Sequence, residues 1–143
     1  MTEITPNQEN YLKTIYLEVE EKGYAKMSDV AALLSVRKSS VNAALNILAD
    51  KKLINYTPYA KITLTEIGLK KAREIIKRFE TMNNFFLHIL KLSREEAIAN
   101  SCKIEHVMSE ALFDRISEFY EFTEEFCKQN PDYKKQLDSL LVK

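Results

Sequence analysis

The chain has 143 residues, 45% of them hydrophobic and 29% charged, a balance that excludes a disordered chain and suits one ordinary domain or two small ones sharing an element. Its 21 cations and 21 acids cancel, but unevenly: residues 37–78 hold ten cations against three acids, a net +7 flanked by segments of −3 and −4. No run approaches the ~18 consecutive apolar residues of a membrane span, and Cys102 and Cys127 are too few for a disulfide framework.

In chain order, Thr5-Pro6-Asn7-Gln8 reads as a capping box with proline at the first helical position. Tyr11, Leu12, Ile15, Tyr16 and Val19 follow at helical spacing, and Gly23 stops that helix. Ser28 is the candidate cap of a short second helix burying Val30, Ala31, Leu33 and Leu34. A tight turn through Ser35-Val36 leads to a third helix near Lys38 to Lys51, burying Val41, Ala44, Leu45 and Leu48. Two β-rich runs, Leu53 to Tyr56 and Lys61 to Thr65, flank Thr57-Pro58-Tyr59-Ala60 and predict a hairpin. Three helices and then a hairpin is the order of a winged helix-turn-helix, in which the last helix enters the major groove of DNA and the wing lies along its backbone.

Beyond the hairpin, Thr65 is the candidate cap of a long helix reaching about Leu90, with Ala72, Ile75, Ile76, Phe79, Met82, Phe86 and Ile89 as its apolar stripe. Ser93-Arg94-Glu95-Glu96 opens a helix through His106, and Ser109 starts another carrying Leu112, Phe113, Ile116, Phe119, Tyr120, Phe122 and Phe126. That aromatic load exceeds what a small lobe easily hides, so part of it is expected to pack against a second copy of the chain. Asn130-Pro131 signals a short terminal helix. The predicted fold is mainly α: residues 1–70 form a winged helix-turn-helix with a small β-hairpin wing, residues 71–143 an all-helical dimerisation domain, and the helix over about 66–90 links them. The start has no basic and apolar leader, so a cytoplasmic protein is expected.

The basic middle is the electrostatic footprint expected for phosphate contact. Ser39, Ser40, Asn42, Ala43 and Asn46 share the outer face of the third helix and are candidates to meet base edges, with Arg37, Lys38, Lys51, Lys52 and Lys61 as candidates for phosphates. Arg37 could instead reach a guanine. Tyr56 and Tyr59 near the wing are assigned to hairpin packing ahead of DNA contact. Cys127 reads as a small buried hydrophobe and His88 as a surface or packing histidine.

Cys102, Glu105 and His106 stand at i, i+3 and i+4, which on a helix places them within an arc of ~100°. Thiolate, carboxylate and imidazole form a mixed ligand set, and the sulfur tilts it toward iron, zinc, cobalt or nickel over manganese. The spacing alone is weak, because a capped histidine beside a glutamate is far commoner than a metal site.

Asn10-Tyr11-Leu12-Lys13-Thr14-Ile15-Tyr16, the winged helix with Leu64-Thr65-Glu66-Ile67-Gly68, and Cys102-Lys103-Ile104-Glu105-His106-Val107-Met108-Ser109 together resemble the diphtheria-toxin-repressor family of metal-dependent regulators. The resemblance runs along essentially the whole chain and fits the short members without an SH3-like third domain. It implies a homodimer that binds a palindromic operator in double-stranded DNA when Fe2+ or Mn2+ is bound, repressing metal-uptake genes, without membrane or small-molecule substrate. It further implies one metal site per subunit at Asn10, Cys102, Glu105 and His106, joining the first helix to the Cys102 helix. Fe2+ is the favoured ion, with Mn2+, Zn2+, Co2+ and Ni2+ as the other candidates. Asn10 stands where the iron branch has methionine, Phe79 replaces a histidine of the second site, and Asn83 and Ile98 replace further ligating residues. The manganese branch has acidic residues at the positions of Asn10 and Lys13 and glutamate at that of Cys102, so a binuclear manganese centre is not expected.

No phosphate loop or nucleophile elbow is present and there are only two histidines, which argues against an enzyme. Two other readings stay open: a winged-helix regulator that has lost metal dependence, acting constitutively or through oxidation of Cys102, and a protein-interaction module.

Overall fold

The computed structural model describes residues 3–142, which fold into two compact units divided between Ile76 and Lys77. The first unit contains α1 (Pro6–Lys22), α2 (Met27–Leu34), α3 (Lys38–Asp50), β1 (Ile54–Asn55), β2 (Thr63–Leu64) and the start of α4 (Glu66–Asn84). The second holds the rest of α4, a π-helical turn (Phe85–Ile89), α5 (Arg94–Ile104), α6 (Glu110–Gln129) and α7 (Pro131–Leu141). Winged helix-turn-helix and all-helical halves are therefore both present.

Local chemistry sets most boundaries. The Thr5 hydroxyl accepts from the Gln8 backbone N–H at 3.2 Å while the Gln8 side chain accepts from the Thr5 N–H at 3.0 Å, a closed capping box. Gly23 ends α1 in the left-handed region at φ 87°, where a side chain is disfavoured. The second helix departs from expectation: its cap is Lys26, without a side-chain bond, and Ser28 lies inside it. Ala25 exchanges both backbone hydrogen bonds with Ile62, at 2.9 and 2.8 Å, so the chain leaves an extended bridge and must turn into the helix directly after Lys26. Leu33, expected inside, is 60% exposed, because this short helix buries only the side carrying Val30 and Ala31.

The wing is an antiparallel pair with Ile54 opposite Leu64 and Asn55 opposite Thr63, extended by the Ala25–Ile62 bridge. Thr65 caps α4, its hydroxyl accepting from the Gly68 N–H at 3.0 Å and donating to the Lys52 carbonyl at 2.7 Å. At Gly68 the helix lies so close to the wing that an added Cβ would sit 1.7 Å from the Leu53 carbonyl oxygen. Fifteen apolar side chains from Tyr11 to Ile75, among them Leu12, Ile15, Leu45 and Ile62, form one buried cluster. Buried Glu18 is neutralised by Lys22 at 2.7 Å, which also reaches Asp29 of α2 at 3.6 Å.

In the second unit the α-helical hydrogen bonding of α4 stops at Asn84, short of the expected Leu90. The Leu90 N–H bonds back to the Phe85 carbonyl, and the widened turn holds the Phe85 ring edge-on to Phe119 and Tyr120 at 6.2 and 6.3 Å. Ser93 and Ser109 cap α5 and α6 through the N–H groups of Glu96 and Leu112, both at 3.2 Å. Asn130 precedes α7 but does not cap it; its amide donates to the Phe126 carbonyl and closes the end of α6 instead. No helix among the described residues is long and apolar enough to cross a membrane.

Candidate nucleic-acid interface and metal centre

Helical periodicity sorts α3 into two faces. Val41, Ala44, Leu45 and Leu48 enter the core, and Ser39, Ser40, Asn42, Ala43 and Asn46 are left exposed beside Arg37 and Lys38. The hydroxyls and amides on this face can both donate and accept, as reading base edges requires. Lys52 and Lys61 are also exposed, whereas Lys51 is half-buried and its ammonium donates to the Glu3 carbonyl.

Lys61 Nζ lies 4.2 Å from the centre of the Tyr24 ring, and Lys26 Nζ lies 5.7 Å from the same ring. The Ala25–Ile62 bridge brings these three residues together, so a cation–aromatic cluster occupies the base of the wing. Lys61 is one of the phosphate candidates of the sequence, whereas Tyr24 and Lys26 carry no local signal, because the bridge pairs segments far apart in the chain. Tyr56, assigned to hairpin packing, reaches α3 as well: its hydroxyl donates to Asn42 Oδ1 at 2.7 Å.

The proposed metal ligands fall in both units. Asn10 is exposed on α1 in the first unit. In the second, α5 ends at Ile104, earlier than expected, so Glu105 and His106 stand in the turn that follows. Glu105 keeps helical dihedrals (φ −56°, ψ −33°) and its N–H bonds to the Ser101 carbonyl, so the helical arc continues to it. Glu105 Oε1 and His106 Nε2 are 3.1 Å apart, with side chains 1% and 5% exposed. Cys102, one turn earlier, is exposed. Among the described residues no three His, Cys, Asp or Glu side chains converge as a metal cluster. The structure thus brings two of the donors together and leaves the thiol outside. As chemistry the set still fits a divalent transition ion, since a shielded carboxylate beside an imidazole is a usual pair of donors. Phe79, which the resemblance sets at a second-site position, is half-buried on α4, and its side chain carries no donor atom.

A basic and polar helix presented by a winged helix-turn-helix, joined to a helical unit with exposed aromatics, defines a two-domain DNA-binding regulator. Residues 3–62 match the family described as iron dependent repressor, N-terminal DNA binding domain, and residues 65–134 match iron dependent repressor, metal binding and dimerisation domain. The chain belongs to this family of transcriptional regulators, which are not enzymes. It is 34% identical over 130 residues to the HTH-type transcriptional regulator MntR of Bacillus subtilis, covering 91% of each chain. The MntR of Bacillus pumilus is 36% identical over 130 residues, 91% of this chain and 90% of that one. The crystal structure of IdeR from T. acidophilum superposes with a TM-score of 0.71 at 26% identity; the match covers 85% of this chain but only 56% of that longer one.

Proposed function

We propose that the protein is a cytoplasmic, homodimeric repressor that binds a palindromic operator in double-stranded DNA when a divalent metal is bound, and that it controls metal-uptake genes. The observation that carries this reading is the exposed polar and basic face of α3, backed by a self-contained core and flanked by cations at the wing. Ser39, Ser40, Asn42, Ala43 and Asn46 meet base edges, and Arg37, Lys38, Lys51, Lys52 and Lys61 meet phosphates. Glu105, His106 and Cys102 hold the ion, with Asn10 the candidate ligand from α1 and Fe2+ the favoured metal. When bound, the ion supplies fixed positive charge that keeps thiolate, carboxylate and neutral imidazole donors together.

The test is a gel-shift titration of Fe2+, Mn2+, Zn2+ and Co2+ for the wild type, Cys102→Ala and Asn10→Ala. Metal-dependent binding that Cys102→Ala weakens supports the ligand set, and a response unchanged by that substitution removes Cys102 from it. The Asn10→Ala arm tests separately whether the first unit contributes a ligand.

One observation favours a second reading. Cys102 is exposed and outside any three-donor cluster among the described residues, as suits a regulator without metal control in which the thiol is free to be oxidised. DNA binding that is identical with chelator and with Fe2+ would support this alternative.

A further inference from the structure

The Tyr56 hydroxyl, just past β1, lies 2.7 Å from Asn42 Oδ1 on the exposed face of α3 and 4.0 Å from Met27 Sδ at the start of α2. Thioether sulfur is a weak acceptor and an amide oxygen a strong one, so the phenolic proton goes to Asn42. The Tyr56 ring is half-buried and cannot follow a rotating amide freely, whereas Asn42 itself is exposed and would otherwise turn about its last torsion.

We propose that Tyr56 is a positioning residue for sequence recognition: by holding Asn42 Oδ1, it leaves the two Nδ2 donors to face the DNA, so this position selects base edges that accept hydrogen bonds. This rests on the DNA-binding reading above. In the major groove, guanine N7 and O6, adenine N7 and thymine O4 are acceptors, while cytosine offers only its N4 donor. On the strand it contacts, the fixed amide therefore discriminates against cytosine. With its oxygen engaged by the phenol, it is also poorly placed for the bidentate adenine contact that needs oxygen and nitrogen together.

The experiment is selection from randomised duplex DNA by the full-length protein with added divalent metal, followed by sequencing. Wild type, Tyr56→Phe, Asn42→Ala and the double variant are compared, and the salt dependence of binding is measured for each. Phenylalanine keeps the ring and deletes only the hydroxyl. Asn42→Ala is expected to reduce discrimination at one base position by about 3- to 10-fold, the range of one net hydrogen bond. Tyr56→Phe should flatten that same position, and the double variant should be no flatter than Asn42→Ala alone. The salt slope should not move, because no phosphate contact is lost; a merely structural role for Tyr56 would instead lower affinity for every sequence. The proposal is overturned if Tyr56→Phe keeps the wild-type preference, if it flattens other positions, or if Asn42→Ala flattens none. A wild type that selects no DNA overturns the DNA-binding reading along with this one, whereas selection that ignores the Tyr56 hydroxyl overturns this one alone.

Discussion

Between Tyr11 and Ile75 fifteen apolar side chains are buried together, whereas from Lys77 onward only Met82, Ile89, Ala97, Met108 and Cys127 are comparably buried among the described residues. Among the described residues the second unit exposes the rings Phe119, Phe122, Phe126 and Tyr133 with Leu112, Leu140 and Val142, Phe122 at 67%, whereas the large apolar side chains exposed in the first unit include a single ring, Tyr59. These exposed rings are already ordered: Phe122 stacks on Phe126 at 5.9 Å, and Phe126 meets Tyr133 edge-on at 5.0 Å. Full burial of a single phenylalanine is worth about 1.5–3 kcal/mol. The first unit closes its own core, while the second leaves stacked aromatic rings at its surface, in keeping with its match to a dimerisation domain.

Three substitutions probe the two units separately. Leu45→Ala removes a side chain with no exposed area from the middle of the first core and is expected to cost about 2–5 kcal/mol in denaturant unfolding. A cost below 1 kcal/mol would mean that this core is not tightly packed. Gly68→Ala forces a methyl group against the Leu53 carbonyl, and the helix or wing must shift, for about 1–3 kcal/mol. Its loss of stability should come with loss of DNA binding, since the displaced segment carries the wing. Phe122→Asp, by contrast, loses only the stacking on Phe126 within the monomer and should change the stability of the dilute monomer by about 1.5 kcal/mol or less, while abolishing dimers in sedimentation equilibrium. An unchanged dimer would show that this aromatic row is not the interface.

Legibility in the sequence followed the range of the interaction. The caps at Thr5, Ser93 and Ser109 and the stop at Gly23 are local, so residue order alone revealed them. Lys26 displaced Ser28 as a cap because of the bridge to Ile62, and α4 widened at Phe85 where it meets aromatic rings from α6; neither partner is close in sequence. Asn130 had two helices within reach and closed the earlier one. At the DNA face, periodicity was enough to separate Asn42 and Asn46 from Leu45 and Leu48. The Tyr56 hydroxyl that orients Asn42 arrives across the wing and left no local signal. On the metal side, the i, i+3, i+4 spacing predicted one helical arc for Cys102, Glu105 and His106, whereas α5 stops before Glu105 and the thiol is exposed.

In the proposed function metal and DNA bind with mutual reinforcement, and linkage makes that coupling measurable. The affinity of the wild-type protein for Fe2+ is titrated anaerobically with and without a selected operator duplex. Because coupling between two ligands is reciprocal, metal binding is expected to be tighter by about 5- to 150-fold in the presence of DNA, with the same factor for DNA when metal is added. Equal metal affinities in the two titrations, with DNA bound throughout the second, would contradict it.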